Sequence, residues 1–473
     1  MSSPAVAPAS PQGPSRGFRT FLILWASQSV SVIGTALTFF AINVYLAQEV
    51  FPDPAQRPQL AAALSAVALA FALPTILLAP MAGATTDRMD RRRILMAANV
   101  ASGLLSALLA TLIGLGKADL TVVVAAMAGL AALQCFHNSA FDASYIMVVP
   151  ADQLPRANGM MQTMWSLSGV VSPGIAAALI ALPALARRGV VGGAVGSWLA
   201  GLQSGTVLAI SMDAVTFFAA AATLLFLAIP SPVRHDLRDS SGRFKKSMLS
   251  DVKEGAQFIW KRRPLLWLLG VFAVINFCAT PLGVLQPLIV KVNLAADWSA
   301  RGFSYETALA TLASLNGIGG LLGGIAISTW GGLKQRRVYG VLVPVLVGGV
   351  VGIVYGFSKW LYLSAGCLAI SAFTLPAANA HSQAIWQVQT PRELQGRVFA
   401  VRRVIAQFTW PMSTALAGWA GGRLNPGHLV AALYCVMLVF VASQLANRGL
   451  LRVEDKDYLD KMAAAHDRGP GGD

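Results

Sequence analysis

Charge is what this sequence has least of. Asp, Glu, Lys and Arg make up 12 % of its 473 residues, against 55 % hydrophobic, where an ordinary soluble protein carries roughly 25 % charged. A soluble core of this size needs a solvated coat, so a soluble globular protein is excluded. Cysteine is scarce too. Cys135, Cys278, Cys367 and Cys435 fall inside apolar runs, with neither metal-ligand spacing nor an extracellular pair placed for a disulfide, and they read as small core residues. The sequence has no Walker loop, no metal cluster and no nucleophile beside a base, so ATP hydrolysis is excluded, a membrane enzyme is a poor third reading, and no cofactor or metal is expected. A net charge of +15 would suggest nucleic acid in a soluble chain. Here the cations sit in short segments between apolar runs, and no nucleic-acid partner is expected.

What the chain has in abundance is apolar runs of about 20 residues, each long enough as a helix to cross a hydrocarbon layer of about 30 Å. Twelve spans are expected, near 20–46, 60–82, 94–115, 120–147, 158–182, 206–229, 265–290, 307–330, 338–357, 360–386, 398–422 and 428–447. With both termini cytoplasmic, only Arg57, Lys117, Arg187, Arg188, Lys291, Arg301, Lys359 and Arg423 of the 36 Lys and Arg fall outside. The positive-inside rule therefore sets the orientation. The first span begins late and is too long for a signal sequence, so it is retained.

Five segments follow: a Pro- and Ser-rich disordered tail over 1–17, a six-helix half over 18–229, a cytoplasmic linker over 230–264, a second half over 265–447, and a cytoplasmic tail over 448–473. Within the linker, Leu249, Val252, Ala256 and Ile259 recur at helical spacing, which predicts an amphipathic helix at the inner membrane surface. The halves echo one another at an offset of 241 residues: Asn138 with Asn379, Asp142 with Gln383, Pro150 with Pro391, Arg156 with Arg397. Duplication of this kind is how many secondary transporters are built, with the substrate site at the midplane between repeats.

Charge concentrates in MAGATTDRMDRRRIL at 81–95. Gly83, Asp87, Arg88, Arg91 and Arg92 resemble the loop signature between spans two and three of the major facilitator superfamily, with Thr85 in place of a leucine and Asp90 in place of a second glycine. A second pattern, that of the family's antiporters in span five, lands on Gly159, Ser168, Ser172, Pro173, Ala176 and Ala177. Only Gly159 and Pro173 are literal, and the remaining glycines are replaced by other small residues that still allow close helix approach. The phrases FLILWASQSVSVIGTALTFFAINVYL, VVPADQLPRANGM and ELQGRVFAVRRVIAQ are similar to the bacterial branch containing macrolide efflux proteins and the enterobactin exporter.

The resemblance implies an all-α membrane protein of twelve transmembrane helices in two pseudo-symmetric six-helix halves. It also implies proton-coupled efflux of a bulky small molecule, by a multi-pass protein of the cell membrane. Protons and membrane lipids are the other expected partners, and a monomer is the expected state. An importer or lipid transporter on the same fold, or a transport-inactive sensor, are the alternatives. In the family the loop aspartate faces the inner end of span eleven, here Arg397, which makes Asp87 a candidate latch with Arg88, Arg91 and Arg92 pairing locally or with lipid phosphates.

Ionisable and amide side chains inside spans are functional candidates by default. Gln134, Asn138 and Asp142 follow at i, i+4, i+8 and share one helical face; Asn379, Gln383 and Gln387 repeat the stripe in span ten. The family resemblance places spans one, four, seven and ten around the central cavity, which makes Asp142 the expected proton carrier, since burial there would favour its protonated form. Gln28 and Asn276 are further polar handles. Asp213, near the outer end of span six, is a second candidate for that proton-carrying carboxylate, although its position favours a helix-start or packing role; His137 and His381 read as core hydrogen-bonding groups. In NGIGGLLGGIA, Gly319/Gly323 and Gly320/Gly324 give two small-xxx-small pairs for tight helix contact.

Overall fold

The computed structural model describes residues 14–149, 153–227, 248–391 and 394–467. In chain order the helices are α1 Pro14–Tyr45, α2 Arg57–Arg88, α3 Arg91–Gly114, α4 Leu120–Val148, α5 Leu154–Arg187, α6 Gly193–Ala200, α7 Thr206–Leu225, α8 Met248–Lys261 and α9 Arg263–Ala279. They continue with α10 Leu282–Val292, α11 Ala295–Ala300, α12 Tyr305–Trp330, α13 Arg337–Phe357, α14 Leu361–Gln389, α15 Gln395–Arg423, α16 Pro426–Gln444, α17 Arg448–Leu451 and α18 Lys456–Asp467. No strand is found among the described residues. In lipid every backbone N–H and C=O needs an internal partner, and helices supply it within the segment.

Eleven helical stretches among the described residues are long and apolar enough to cross a membrane, with α9 and α10 counted as one. The expected eleventh span, α15, is not among them: Arg397, Arg402 and Arg403 occupy its first half, and polar and small residues make up much of its second. At 29 residues it is nonetheless long enough to cross, and it packs between α2 and α9. The first half assembles through α1 with α5 and α7, α3 with α7 and α4, and α2 with α4; the second through α12 with α14, α13 with α14 and α16, and α15 with α9. The halves meet along α2 against α15 and α5 against α12.

Several boundaries differ from the sequence reading for local reasons. The segment 83–93 was expected as a loop, yet α2 continues to Arg88 and α3 starts at Arg91, so only Met89 and Asp90 connect them. Asp90, at the position of the signature's second glycine, is the N-cap of α3 and accepts from the amides of Arg92 (2.9 Å) and Arg93 (3.3 Å). A short polar acceptor satisfies helix-start donors that glycine cannot. The seventh span is broken at Thr280–Pro281 into α9 and α10, as expected where proline removes a backbone donor.

The α8 helix lies where an amphipathic helix was expected, although its apolar face differs. Ala256 is exposed, whereas Phe258 and Ile259 are buried as α8 packs on α15 and α9. The side chains of Leu249 and Val252 lie outside the described residues. The segment after α16 is also partly folded: Arg262 pairs with Asp460 at 3.0 Å and Gln389 donates to Glu454 O at 2.8 Å.

Candidate functional site

Two spaces lie beside one another inside the bundle. The larger, about 700 Å³, is bordered by α12 from Asn316 to Ser328, by α14 from Ser371 to Asn379, by Pro344 and Gly348 of α13 and by Tyr434 of α16. Trp165, Ser166 and Gly169 of α5 close it from the other half. The lining lies at the middle of α14 and extends from the middle of α12 toward its C-terminal end. The smaller space, about 100 Å³, is lined by Gln28, His137, Asn138, Asp142 and Trp165, among others. Trp165 borders both.

The glycines of α12 explain how the larger space arises. A Cβ on Gly319 would lie 2.1 Å from Ala369 O, and one on Gly323 2.1 Å from Phe373 O. That pair lets α12 pack backbone to backbone on α14, as expected of small-xxx-small spacing. The other pair does not do this. A Cβ on Gly320 or Gly324 would have nothing within 4 Å, and both glycines line the cavity. One glycine face seals a helix contact while the face beside it leaves room for a ligand.

The polar stripe of α4 is a hydrogen-bonded chain. Gln134 Nε2 donates to Asn138 Oδ1 at 3.0 Å, and His137 Nε2 donates to Gln28 Oε1 of α1 at 2.7 Å, with His137 Nδ1 3.4 Å from Asn138 Oδ1. His137 was expected as a core group off the stripe; it is buried and ties the stripe to α1. Asp142 is exposed at the border of the small space. The burial expected of Asp142 is not found in this conformation.

The matching stripe of α14 divides. Asn379 faces the large cavity. Gln383 Oε1 instead accepts from Arg402 Nη1 of α15 at 2.7 Å, and Ser382 Oγ from Nη2 at 3.2 Å. The same guanidinium lies 5.5 Å from the Trp386 ring centroid and 6.0 Å from that of Phe272, within cation–π range. Gln387 is exposed, and Asn276 is half-buried on α9, where Ile275 and Ala279 line the cavity instead. Asn316, Thr374 and Tyr434 are lining groups the sequence reading missed; Asn316 stands at the head of the glycine run, which was the available signal.

At the arginine-rich junction, Arg91 Nη1 donates to Ala143 O at 3.0 Å and contacts Met147 Sδ, while Arg92 donates to Leu224 O and Leu225 O at 2.8 and 2.7 Å. Arg92 satisfies the C-terminal carbonyls of α7, where the helix dipole favours positive charge, and Arg91 reaches a carbonyl near the end of α4. The expected local pairing of these arginines takes this form. Gly83 lies inside α2 with nothing within 4 Å of an added Cβ. The side chains of Asp87, Arg88 and Arg397, and the surroundings of Gly159, lie outside what is described.

In α5, Pro173 sits within the helix. Ser168 and Ser172 are buried and donate to Val32 O (3.4 Å) and Ile33 O (3.1 Å), and Ala176 and Ala177 are buried too. The small residues of the span-five pattern thus bring α5 close against α1.

On the side away from the arginines the halves are joined. Arg57 donates to Gly422 O and Arg423 O at 3.3 and 3.4 Å, and Ser65 to Thr414 O at 2.7 Å. Lys291 Nζ of α10 donates to Ala47 O and Phe51 O, around the π-helical turn Leu46–Val50 that ends the first span. At mid-membrane Ser314 donates to Val170 O at 3.0 Å.

The architecture is a helical membrane bundle of two six-helix halves around an internal cavity, and comparison with known proteins shows what it is similar to. Residues 24–184 match the model of the Major Facilitator Superfamily. Macrolide efflux protein A of Streptococcus pyogenes is 23 % identical over 410 residues, covering 86 % of this chain and 91 % of that one. Multidrug efflux pump Tap of Mycolicibacterium fortuitum is 28 % identical over 362 residues, covering 75 % and 79 %. Among solved structures, a bacterial homologue of the human lysosomal transporter Spinster, inward-facing and unoccupied, aligns with a TM-score of 0.59 at 16 % identity over 98 % of this chain and 100 % of that one. The nucleoside transporter NupG aligns with 0.61 at 9 % over 90 % and 98 %. Residues 24–184 thus carry the major facilitator match, and the relatives that span most of the chain are efflux transporters rather than enzymes.

Proposed function

We propose that this transporter exports a bulky amphipathic small molecule in exchange for protons, by alternating access in the cell membrane. The observation that carries the reading is the cavity of about 700 Å³, largely apolar with a few amide and hydroxyl groups, which suits such a ligand. The efflux relatives of comparable length support the direction. The positive-inside rule makes the arginine-rich side cytoplasmic, with both termini and the 230–264 segment inside. The cavity then lies toward the cytoplasm while cross-half contacts close the outer side, the arrangement from which an exporter loads.

In this reading Asn379, Asn316 and Tyr434 contact the substrate. Asp142, beside Gln28, Asn138 and Gln134, exchanges the proton from the small space that adjoins the cavity at Trp165. Asp87 holds the cytoplasmic side shut against the start of α15 in the alternate state, with Arg397 on the facing helix end. Lipid surrounds a monomer. The test is uptake of a macrolide and of a cationic dye into inverted vesicles, with and without a proton gradient. Gradient-dependent accumulation of either is expected; accumulation of neither, in vesicles where the protein is folded, would sink the reading.

A further inference from the structure

One buried acid has no part in the cavity. Asp213 is fully buried, seven residues into α7, hence about 10 Å from its outer end. Its Oδ2 accepts from the Thr38 hydroxyl of α1 at 2.6 Å and the Ser106 hydroxyl of α3 at 3.1 Å. Its Oδ1 is buried with no partner. The seat is tight, because a Cβ on Gly34 would lie 2.2 Å from Thr216 Oγ1 and 2.7 Å from Asp213 Oδ1. Helix start was one expected role, but Gly205 precedes α7 and Asp213 caps none of its amides.

The helices packed on α7 are α1, α3 and α5. Residues 20–48, 94–114 and 157–186 of those helices, and the remainder of α7, contain no Lys, Arg, His, Asp or Glu. Tyr45 of α1 is committed to Ala118 O at 2.8 Å, and Glu49 beyond it accepts from Ser204 at 2.6 Å. The arginines at 19, 91–93, 156 and 187–188 stand at helix ends. An ionised carboxylate in this seat would have two hydroxyl donors and no cation, a setting in which buried charge is neutralised by a proton.

We propose that Asp213 is a proton-binding site within the packing of the N-terminal half, separate from the substrate cavity and opened from the outer side. The proton comes from outer solvent and is carried on Oδ1, the oxygen that lacks a partner. Access follows from what lies above it. Between Asp213 and the outer end, Ile42, Leu46, Ile113 and Ile210 are buried and apolar, so no water chain reaches the acid while α1 is in place. Three turns beyond Thr38 is the π-helical end of the same span, which Lys291 of the other half holds through Ala47 O and Phe51 O. Opening of the outer side breaks that cross-half contact and frees the end of α1 that covers the acid. The role in transport rests on the proton-coupled reading above; the site itself does not.

The test is infrared difference spectroscopy of the purified full chain in lipid nanodiscs, titrated from mildly acid to alkaline buffer and exchanged into heavy water. A carboxylic C=O band is expected in the natural protein, lost in Asp213→Asn and kept in Asp142→Asn. Thr38→Val should move the band upward in frequency, since the carbonyl loses a donor, and this variant serves if Asp213→Asn does not fold. Lys291→Met should speed the band's deuterium shift several-fold. A band unchanged in both Asp213→Asn and Thr38→Val overturns the site, and an unchanged exchange rate in Lys291→Met overturns outer-side access. Dye accumulation in vesicles separates the two readings. A wild-type chain with the band but no gradient-driven accumulation keeps the proton site and sinks the exporter; full gradient-driven accumulation by folded Asp213→Asn removes the acid from coupling.

Discussion

At the scale of single residues, the two glycine pairs of α12 make opposite demands. A side chain at 323 would meet the backbone carbonyl of Phe373, which cannot swing aside as a flexible side chain can. Gly323→Val should therefore cost about 3 kcal/mol or more by overpacking, read as a drop in the thermal midpoint in detergent. Gly324→Val meets open space, so the fold should survive while the narrowed cavity loses substrate, seen as weaker transport with an unchanged midpoint. Equal destabilisation by both would contradict the division of faces. Asp142→Asn tests the cavity-side carboxylate in the same way: normal expression is expected, with gradient-driven transport abolished and substrate exchange retained. Export that still follows the gradient would take Asp142 out of the mechanism.

At the scale of elements, much of the fold rests on acceptors supplied at helix ends. Asp90→Ala should remove the cap of α3 at a cost of about 1 kcal/mol; an unaltered thermal midpoint would show that the arginine contacts alone hold the junction. On the outer side, α14 begins at Leu361 after an N-cap residue, Trp360, whose side chain supplies no acceptor. Asp297 of α11 provides it instead, accepting from Leu361 N at 2.9 Å and pairing with Arg301.

The Arg301 guanidinium, then the Leu361 amide, hold the Asp297 carboxyl below the ordinary carboxylate range. A depressed folded value means the stabilisation is present above the unfolded value and is lost as pH falls through the folded one. The protection factor of the amides at the start of α14, exchange corrected for its intrinsic pH dependence, should accordingly fall in acid, and Asp297→Asn should flatten that response. An acid-independent protection factor in the natural protein would show that this contact does not anchor the helix.

At the scale of the whole molecule, the two halves hold each other by reciprocal contacts. Arg57 from the first half reaches the carbonyls that end α15, and Lys291 from the second reaches those that end the first span. Cations at helix C-termini are favourable without carboxylate partners, and such contacts are weak enough to break in a cycle whose states differ by a few kcal/mol. Lys291→Met should therefore shift the population toward outward-open. In a chain freed of its native cysteines, Leu60→Cys, buried in the seam between Arg57 and Lys291, should then label faster with an impermeant thiol reagent. Unchanged labelling would leave Lys291 as a packing residue. The orientation has its own check: a cysteine at Ser240 should stay unlabelled in intact cells, and strong labelling there would reverse it.

What the sequence determined by itself is whatever depends on local composition and spacing. Scarce charge and long apolar runs dictate a helical membrane bundle, because helices alone satisfy a backbone in lipid over a single segment. The 241-residue echo and the charged junction at 81–95 pointed to the two halves and their family, and small residues at every fourth position marked where helices approach. Contacts between distant segments were decided only by the tertiary structure. Spacing placed Gln383 on a stripe with Asn379, yet Arg402 from another helix turns it away from the cavity. The same spacing made Gly320 and Gly324 packing residues, though no neighbour faces them. Asp142 looked buried because its span is apolar, while Asp213 came second to it because it lies near a helix start. Which acid is enclosed depends on the helices packed around it, and periodicity along one helix carries no information about those neighbours.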